Sequence, residues 1–216
     1  MCYLQSFVNQ KLYAIIIVLQ SICTTTLKFG DCDIDGAITV TSGTVDVDGV
    51  FDATGGFVTF TGDGELIVDS TVTSLGTLST ANGTVTYNGA TAQTIVAGAY
   101  PSLKASDAAG IKTLGGTVTV AGGLIIDASV TVDMNGNTLG VTGTTDIDGV
   151  LDVADNILTL GGASNLDGTM TISTGTVDAN GTFDATGGFV TFTDAGNLNL
   201  FFKTDLCYYC NITFFQ

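Results

Sequence analysis

The block from Gly43 to Thr61 occurs twice in this chain, and the repetition limits what the chain can fold into. It returns from Gly175 to Thr193 with 16 of 19 positions identical; only Val47/Ala179, Asp48/Asn180 and Val50/Thr182 differ. A weaker copy from Gly143 to Gly161 keeps 8 of 19. Within the block, apolar and polar residues alternate. Val45 and Val47 stand against Thr44, Asp46 and Asp48, Phe51 and Ala53 against Asp52 and Thr54, and Val58 and Phe60 against Thr59 and Thr61. Successive side chains of a strand point to opposite sides, so these runs read as short strands with one apolar side. Gly49 and Gly55-Gly56 separate them. A unit this small cannot bury its apolar side alone and needs stacked neighbours. Val45, Val47, Phe51, Val58 and Phe60 are therefore expected in a core, with Val177, Phe183, Val190 and Phe192. Asp46 and Asp52, on the opposite alternates, are expected to face water.

The rest of the chain from residue 33 to 200 follows the same style. Short runs rich in β-branched residues recur, as in Ile38-Thr39-Val40, Val85-Thr86-Tyr87, Val118-Thr119-Val120 and Leu124-Ile125-Ile126. Turns carry Gly, Asn and Asp, and the one proline, Pro101, marks an edge or loop. No segment holds a helical period. Strands this short, repeated and separated by turns, predict an all-β protein, a parallel β-solenoid of stacked strands. Asp-Gly turns that make hairpins keep a β-sandwich as the alternative.

Charge excludes some partners. The chain has 20 Asp, one Glu, five Lys, no Arg and no His, for a net charge of −16. Nucleic acid needs a basic footprint, so it is not an expected partner. Catalysis on such a scaffold needs paired carboxylates in a groove with basic residues nearby. With no His or Arg, the chain is expected not to be an enzyme; a long inserted loop beside Lys104 or Lys112 would argue otherwise.

The two ends differ from the middle. Residues 1–32 and 201–216 hold all five Cys and 10 of the 18 aromatics. Lys11, the apolar run Leu12 to Leu19 and the exit Gln20 to Thr24 have the parts of a secretory signal, and the run is too short to span a bilayer. The other reading is sequence unrelated to the mature domain. Cys207 and Cys210 have metal-site spacing, but no second pair or His completes it. Three segments are thus expected: an atypical 1–32, the repeats 33–200, with no membrane span, and an atypical tail 201–216, both ends packing poorly.

Gly83-Thr84-Val85-Thr86-Tyr87-Asn88-Gly89, then Ala92 to Ile95, Ala97 to Leu103, and Gly110 to Gly116 form a further signature. It resembles large bacterial surface repeat proteins of the adhesin and haemagglutinin type, especially from bacteria with type IX secretion. The resemblance covers residues 33 to 200. It implies a right-handed parallel β-solenoid, secretion and attachment at the cell surface, with an extracellular glycan or protein surface as partner. No C-terminal sorting segment is recognisable, which fits a piece of a longer array.

Two side-chain patterns invite chemistry. Asp33-Ile34-Asp35-Gly36, Asp46-Val47-Asp48-Gly49 and Asp146-Ile147-Asp148-Gly149 place carboxylates two apart beside a turn. Calcium takes such oxygens, so Asp33, Asp35, Asp46, Asp48, Asp146 and Asp148 are its candidate ligands; the competing reading is a polar strand end, with no cofactor. Thr-x-Thr recurs at Thr39/Thr41, Thr59/Thr61, Thr71/Thr73, Thr84/Thr86, Thr117/Thr119, Thr169/Thr171 and Thr191/Thr193. A flat array of these would suit ice; a wet strand side with ordinary β-propensity is the plainer reading. Stacking should also bring aspartates of successive turns together.

Overall fold

A computed structural model describes residues 26–106 and 110–200 in full, together with the backbone of Ser6–Phe7 and Gln10–Leu12. Every strand pairing in it is parallel. The chain is all-β and forms a β-solenoid, which rules out the sandwich. From Thr26 onward successive strands visit three sides in strict rotation. Side one is a continuous ten-stranded sheet. Side two holds a four-stranded and then a six-stranded sheet, and side three a three-stranded and then a six-stranded sheet.

The inward columns explain the alternation. On side one Val45 sits over Leu66, Val85, Leu103 and Leu124 in successive turns, and all five are buried. The turns are not of equal length: Thr26 falls on Thr44, whereas Thr44 falls on Glu65. Stacking like positions about 4.8 Å apart gives each apolar side chain a partner above and below. Val45, Val47, Phe51, Val58, Phe60 and Val177 lie in the core as expected. Phe183, Val190 and Phe192 pack on it but stay partly exposed, because they belong to the last described turn. Asp46 departs from expectation. It is on the outward alternate, yet it is buried, flanked in register by Lys28 and Ile67.

The stack starts before residue 33. Thr26–Phe29 pairs with Thr44–Val47, and Cys32 faces Phe51, with Phe29 and Cys32 in the core. Burial pushes the Cys32 thiol up to about 12, so it is an unreactive core group. The backbone of Gln10–Leu12 pairs with Cys32–Ile34 in the same parallel sense. Most of the expected signal segment, and the whole 201–216 tail with Cys207 and Cys210, lies outside the described residues.

The two near-identical blocks occupy different sides. Thr44–Val47 is on side one, whereas its copy Thr176–Ala179 is on side three. The second copy lies twenty strand steps after the first, so with three strands to a turn the copies stand six turns and two-thirds apart. The building unit is thus one strand, and each strand of the block folds alike on two different sides.

Corners are tight, and glycine makes them so. Gly122, Gly143, Gly162 and Gly181 stack in one column between side three and side one. A Cβ on Gly143 would overlap the Gly122 carbonyl oxygen, one on Gly162 that of Gly143, and one on Gly181 that of Gly162. Among the described strands from residue 26 to 200, no connection exceeds five residues.

Sides two and three are interrupted at one level, between the turn of Val72–Ser74 and Thr77–Leu78 and the turn of Gln93–Ile95 and Gly98–Tyr100. Side chains take over there from ladder bonds. Gln93 Nε2 donates to the carbonyls of Val68 (2.9 Å) and Ser70 (2.8 Å), and its Oε1 accepts from Gly89 N (2.8 Å). Buried Lys112 donates to Gln93 Oε1 at 2.8 Å and to the Gly89 carbonyl. Inside, the phenols of Tyr87 and Tyr100 meet at 3.0 Å, and Tyr100 donates to the Val96 carbonyl at 2.7 Å. Burial pushes the Tyr87 phenol up to about 12 and Tyr100 higher still.

Gly162→Ala is expected to cost about 1–3 kcal/mol, since the added methyl overlaps the backbone oxygen of Gly143 rather than a flexible side chain. Gly140→Ala, on a strand with open space at its Cβ, should change stability by less than about 0.5 kcal/mol or raise it slightly. Chemical-denaturation midpoints of the two variants measure the difference.

Candidate functional site

Most acidic residues of side one gather into two groups along its outer surface. Parallel stacking builds two columns there. One runs through Lys28, Asp46, Ile67, Thr86, Lys104, Ile125, Asp146, Asn165 and Asp184. The other lies just past the strand ends, through Asp48, Asp69, Asn88, Ser106, Asp127, Asp148 and Asp167, whose backbone amides continue the ladder.

The first group is Asp46, Asp48 and Asp69. One carboxylate oxygen of each lies within 4.8 Å of the others. Lys28 Nζ reaches Asp46 Oδ2 at 2.6 Å and Asp48 Oδ1 at 3.1 Å. These two hydrogen bonds, Asp46 first, raise the Lys28 pKa. Asn88 Nδ2 donates to Asp69 Oδ1 at 3.0 Å. Burial, then the charges of Asp46 and Asp48, raise the Asp69 pKa against the opposing pull of that hydrogen bond.

The second group lies five turns on, about 24 Å along the axis. Here Asp146 and Asp148 stand with Asp127 and Asp167. Asn165 Nδ2 donates to Asp146 Oδ1 and to Asp167 Oδ2, both at 3.1 Å. Asp127 Oδ2 accepts from Ser106 (2.6 Å) and pairs with Lys104 (3.0 Å). Partial desolvation, then Asp146, Asp167 and Asp127, raise the Asp148 pKa.

The six aspartates singled out from sequence therefore do not form one site. Asp46 and Asp48 join Asp69, which the Asp-x-Asp-Gly pattern does not contain. Asp146 and Asp148 lie in the second group. Asp33 is on side two, in register with Asp52, and Asp35 is exposed in the turn that follows. Asp69 is adjacent to Asp48 only because the turn carries Thr44 onto Glu65, a length that no local motif announces.

Other aspartates serve the turns. Asp52 Oδ1 accepts from the Thr54 amide (2.9 Å) and hydroxyl (2.6 Å), and in the copied block Asp184 receives the same pair from Thr186. The Thr186 bonds hold the Asp184 carboxyl below its ordinary value. The Thr-x-Thr pairs are scattered over all three sides: Thr39 and Thr59 on side three, Thr73 and Thr169/Thr171 on side two, Thr84/Thr86 on side one. Among the described residues, Thr41 and Thr61 place hydroxyls together across a turn, at 2.7 Å.

At the interruption in sides two and three lies a cavity of about 270 Å³, lined among others by Ser74, Leu75, Leu78, Val96 and Tyr100. No carboxylate or amine side chain lines it, and the Tyr100 phenol is spent on Tyr87 and Val96. No helix among the described residues is long and apolar enough to cross a membrane. Comparison with protein-family models, with curated proteins and with solved structures finds no match for this chain.

The pH dependence of stability follows from these shifts. A carboxyl raised in the fold binds its proton more readily folded than unfolded, so its penalty is present above the folded pKa and relieved as pH falls. Asp69 and Asp148 are of this kind. Asp184 runs the other way: its contribution is present above the unfolded pKa and lost as pH falls through the lowered one. Melting temperature should therefore rise as pH falls from neutral through the raised values of Asp69 and Asp148, ahead of the range in which ordinary carboxylates protonate. The double variant Asp69→Asn/Asp148→Asn should show a smaller rise in the same titration.

Proposed function

We propose that this chain is a non-enzymatic repeat segment of a secreted or cell-surface protein, acting as a stalk and binding surface. One observation carries the reading. The outer sides are built from described strands joined by at most five residues, with no inserted loop among them from which to raise a catalytic groove. The two lysines that such a groove would need are otherwise engaged, Lys104 with Asp127 and Lys112 inside the core. The acidic groups lie on an outer sheet surface, whereas the cavity noted above lacks charge.

A stack of this kind resists bending, because each turn is bonded to the next through backbone on three sides, save at the one level where side one alone carries the ladder. That suits a spacer. Its outer sides offer polar strands with isolated apolar residues, such as Phe57, Ile111 and Ile157, set among threonines. An extracellular glycan or protein surface is the partner class this pattern supports. The likeness to adhesin-type bacterial repeats points the same way.

The full chain, immobilised on beads, is expected to retain extracellular glycans or matrix proteins without altering them. Incubation with polysaccharides while assaying reducing ends and unsaturated products should give no turnover. Product released over many cycles would replace this reading with that of a polysaccharide-acting β-helix enzyme.

A further inference from the structure

We infer that Asp46, Asp48 and Asp69 form a binding site for a divalent cation of the calcium type, with Lys28 as the internal cation it displaces. Proximity is the first ground. Oxygens within 4.8 Å of one another span what a cation with metal–oxygen distances of about 2.4 Å bridges. Magnesium, at about 2.1 Å, would require the three carboxylates to draw closer.

The second ground is independent of proximity. Asp46 is only 8% exposed, and its Oδ1 is shielded from water with no hydrogen-bond partner. Buried carboxylate oxygens are ordinarily satisfied, and one that is not calls for a water or an ion. Asp46 is the only acidic residue among the described ones with such an orphan oxygen.

Charge is the third. Three carboxylates face one ammonium, leaving two negative charges over. Lys28 bridges Asp46 and Asp48, and Asp69 has only the neutral Asn88 amide. The Lys28 side chain is 42% exposed, so it can swing into solvent without unpacking the core. A cation entering from that side meets all three carboxylates, and waters complete the six to eight oxygens that calcium takes.

The second acidic group provides a built-in control. It is more negative, with four carboxylates to one ammonium, yet Lys104, Ser106 and Asn165 answer its oxygens, and no buried orphan carboxylate is found there. It should respond to ionic strength but not bind one ion tightly.

The test is calorimetric titration of the chelator-treated full chain with calcium chloride at fixed ionic strength. One saturable site is expected. Asp69→Asn and Asp48→Asn should each weaken it about tenfold or more, since even outer-shell losses at metal sites reach that size. Asp148→Asn should leave affinity unchanged, and Lys28→Met should tighten it by removing the competitor. Asp48 is exposed, so its variant stands in if Asp69→Asn fails to fold by circular dichroism. Absence of saturable binding overturns the inference. So does an equal loss in Asp148→Asn and Asp69→Asn, which would show diffuse counterion uptake, or an unchanged affinity in Lys28→Met.

Discussion

Parallel stacking at a spacing of about 4.8 Å is the constraint on which everything else in this molecule rests. It gives each residue a counterpart directly above and below. Inside, that multiplies burial: a column such as Val45, Leu66, Val85, Leu103 and Leu124 is closed to water by its own repetition. At the corners it leaves no space for a side chain pointing along the axis. The column of Gly122, Gly143, Gly162 and Gly181 is the result, each backbone resting on the carbonyl of the one before. The abundance of glycine in the sequence is thus a packing requirement as much as a need for unusual backbone angles.

The same spacing is unforgiving of charge. Any acidic position that recurs with the turn faces itself in the next one, and like charges directly opposed across strands destabilise by some tenths of a kcal/mol. The chain answers in part by interleaving, although Asp48 and Asp69, and then Asp127, Asp148 and Asp167, still follow one another in successive turns. Along the strand-end column of side one, Asn88 and Ser106 interrupt the aspartates, and Lys28, Lys104 and Asn165 reach in from the neighbouring column. With so few cations, lysine placement is economical. Two of the five stand against side-one carboxylates, and a third, Lys112, is buried where the strand ladder is broken.

The fold was legible because alternation and repetition are local signals. Val45, Phe51, Val58 and their neighbours could be assigned to the core without knowing how long a turn is. The candidate site was legible only in part. Asp46 and Asp48 lie two apart on one strand, which sequence shows. Their meeting with Asp69, and the cover that Lys28 gives Asp46, depend on turn lengths that change along the chain, as the steps from Thr26 to Thr44 and from Thr44 to Glu65 show. Gln93 and Lys112 were hidden for another reason. Both are polar residues at inward positions, and a rule that sends polar side chains outward misplaces them. Their role exists only because sides two and three lose their pairing at that level.

The duplicated block carries a consequence of a geometrical kind. Its copies differ in phase by two-thirds of a turn, and the residues fold alike on either side. Adding or deleting one strand unit would therefore advance the axis by only about 1.6 Å, a third of the spacing between turns. It would also rotate everything downstream by a third of a revolution. Length and azimuth are coupled like the thread of a screw. A family of such chains could re-aim a surface patch to any of three bearings by small insertions, while the core chemistry stayed the same.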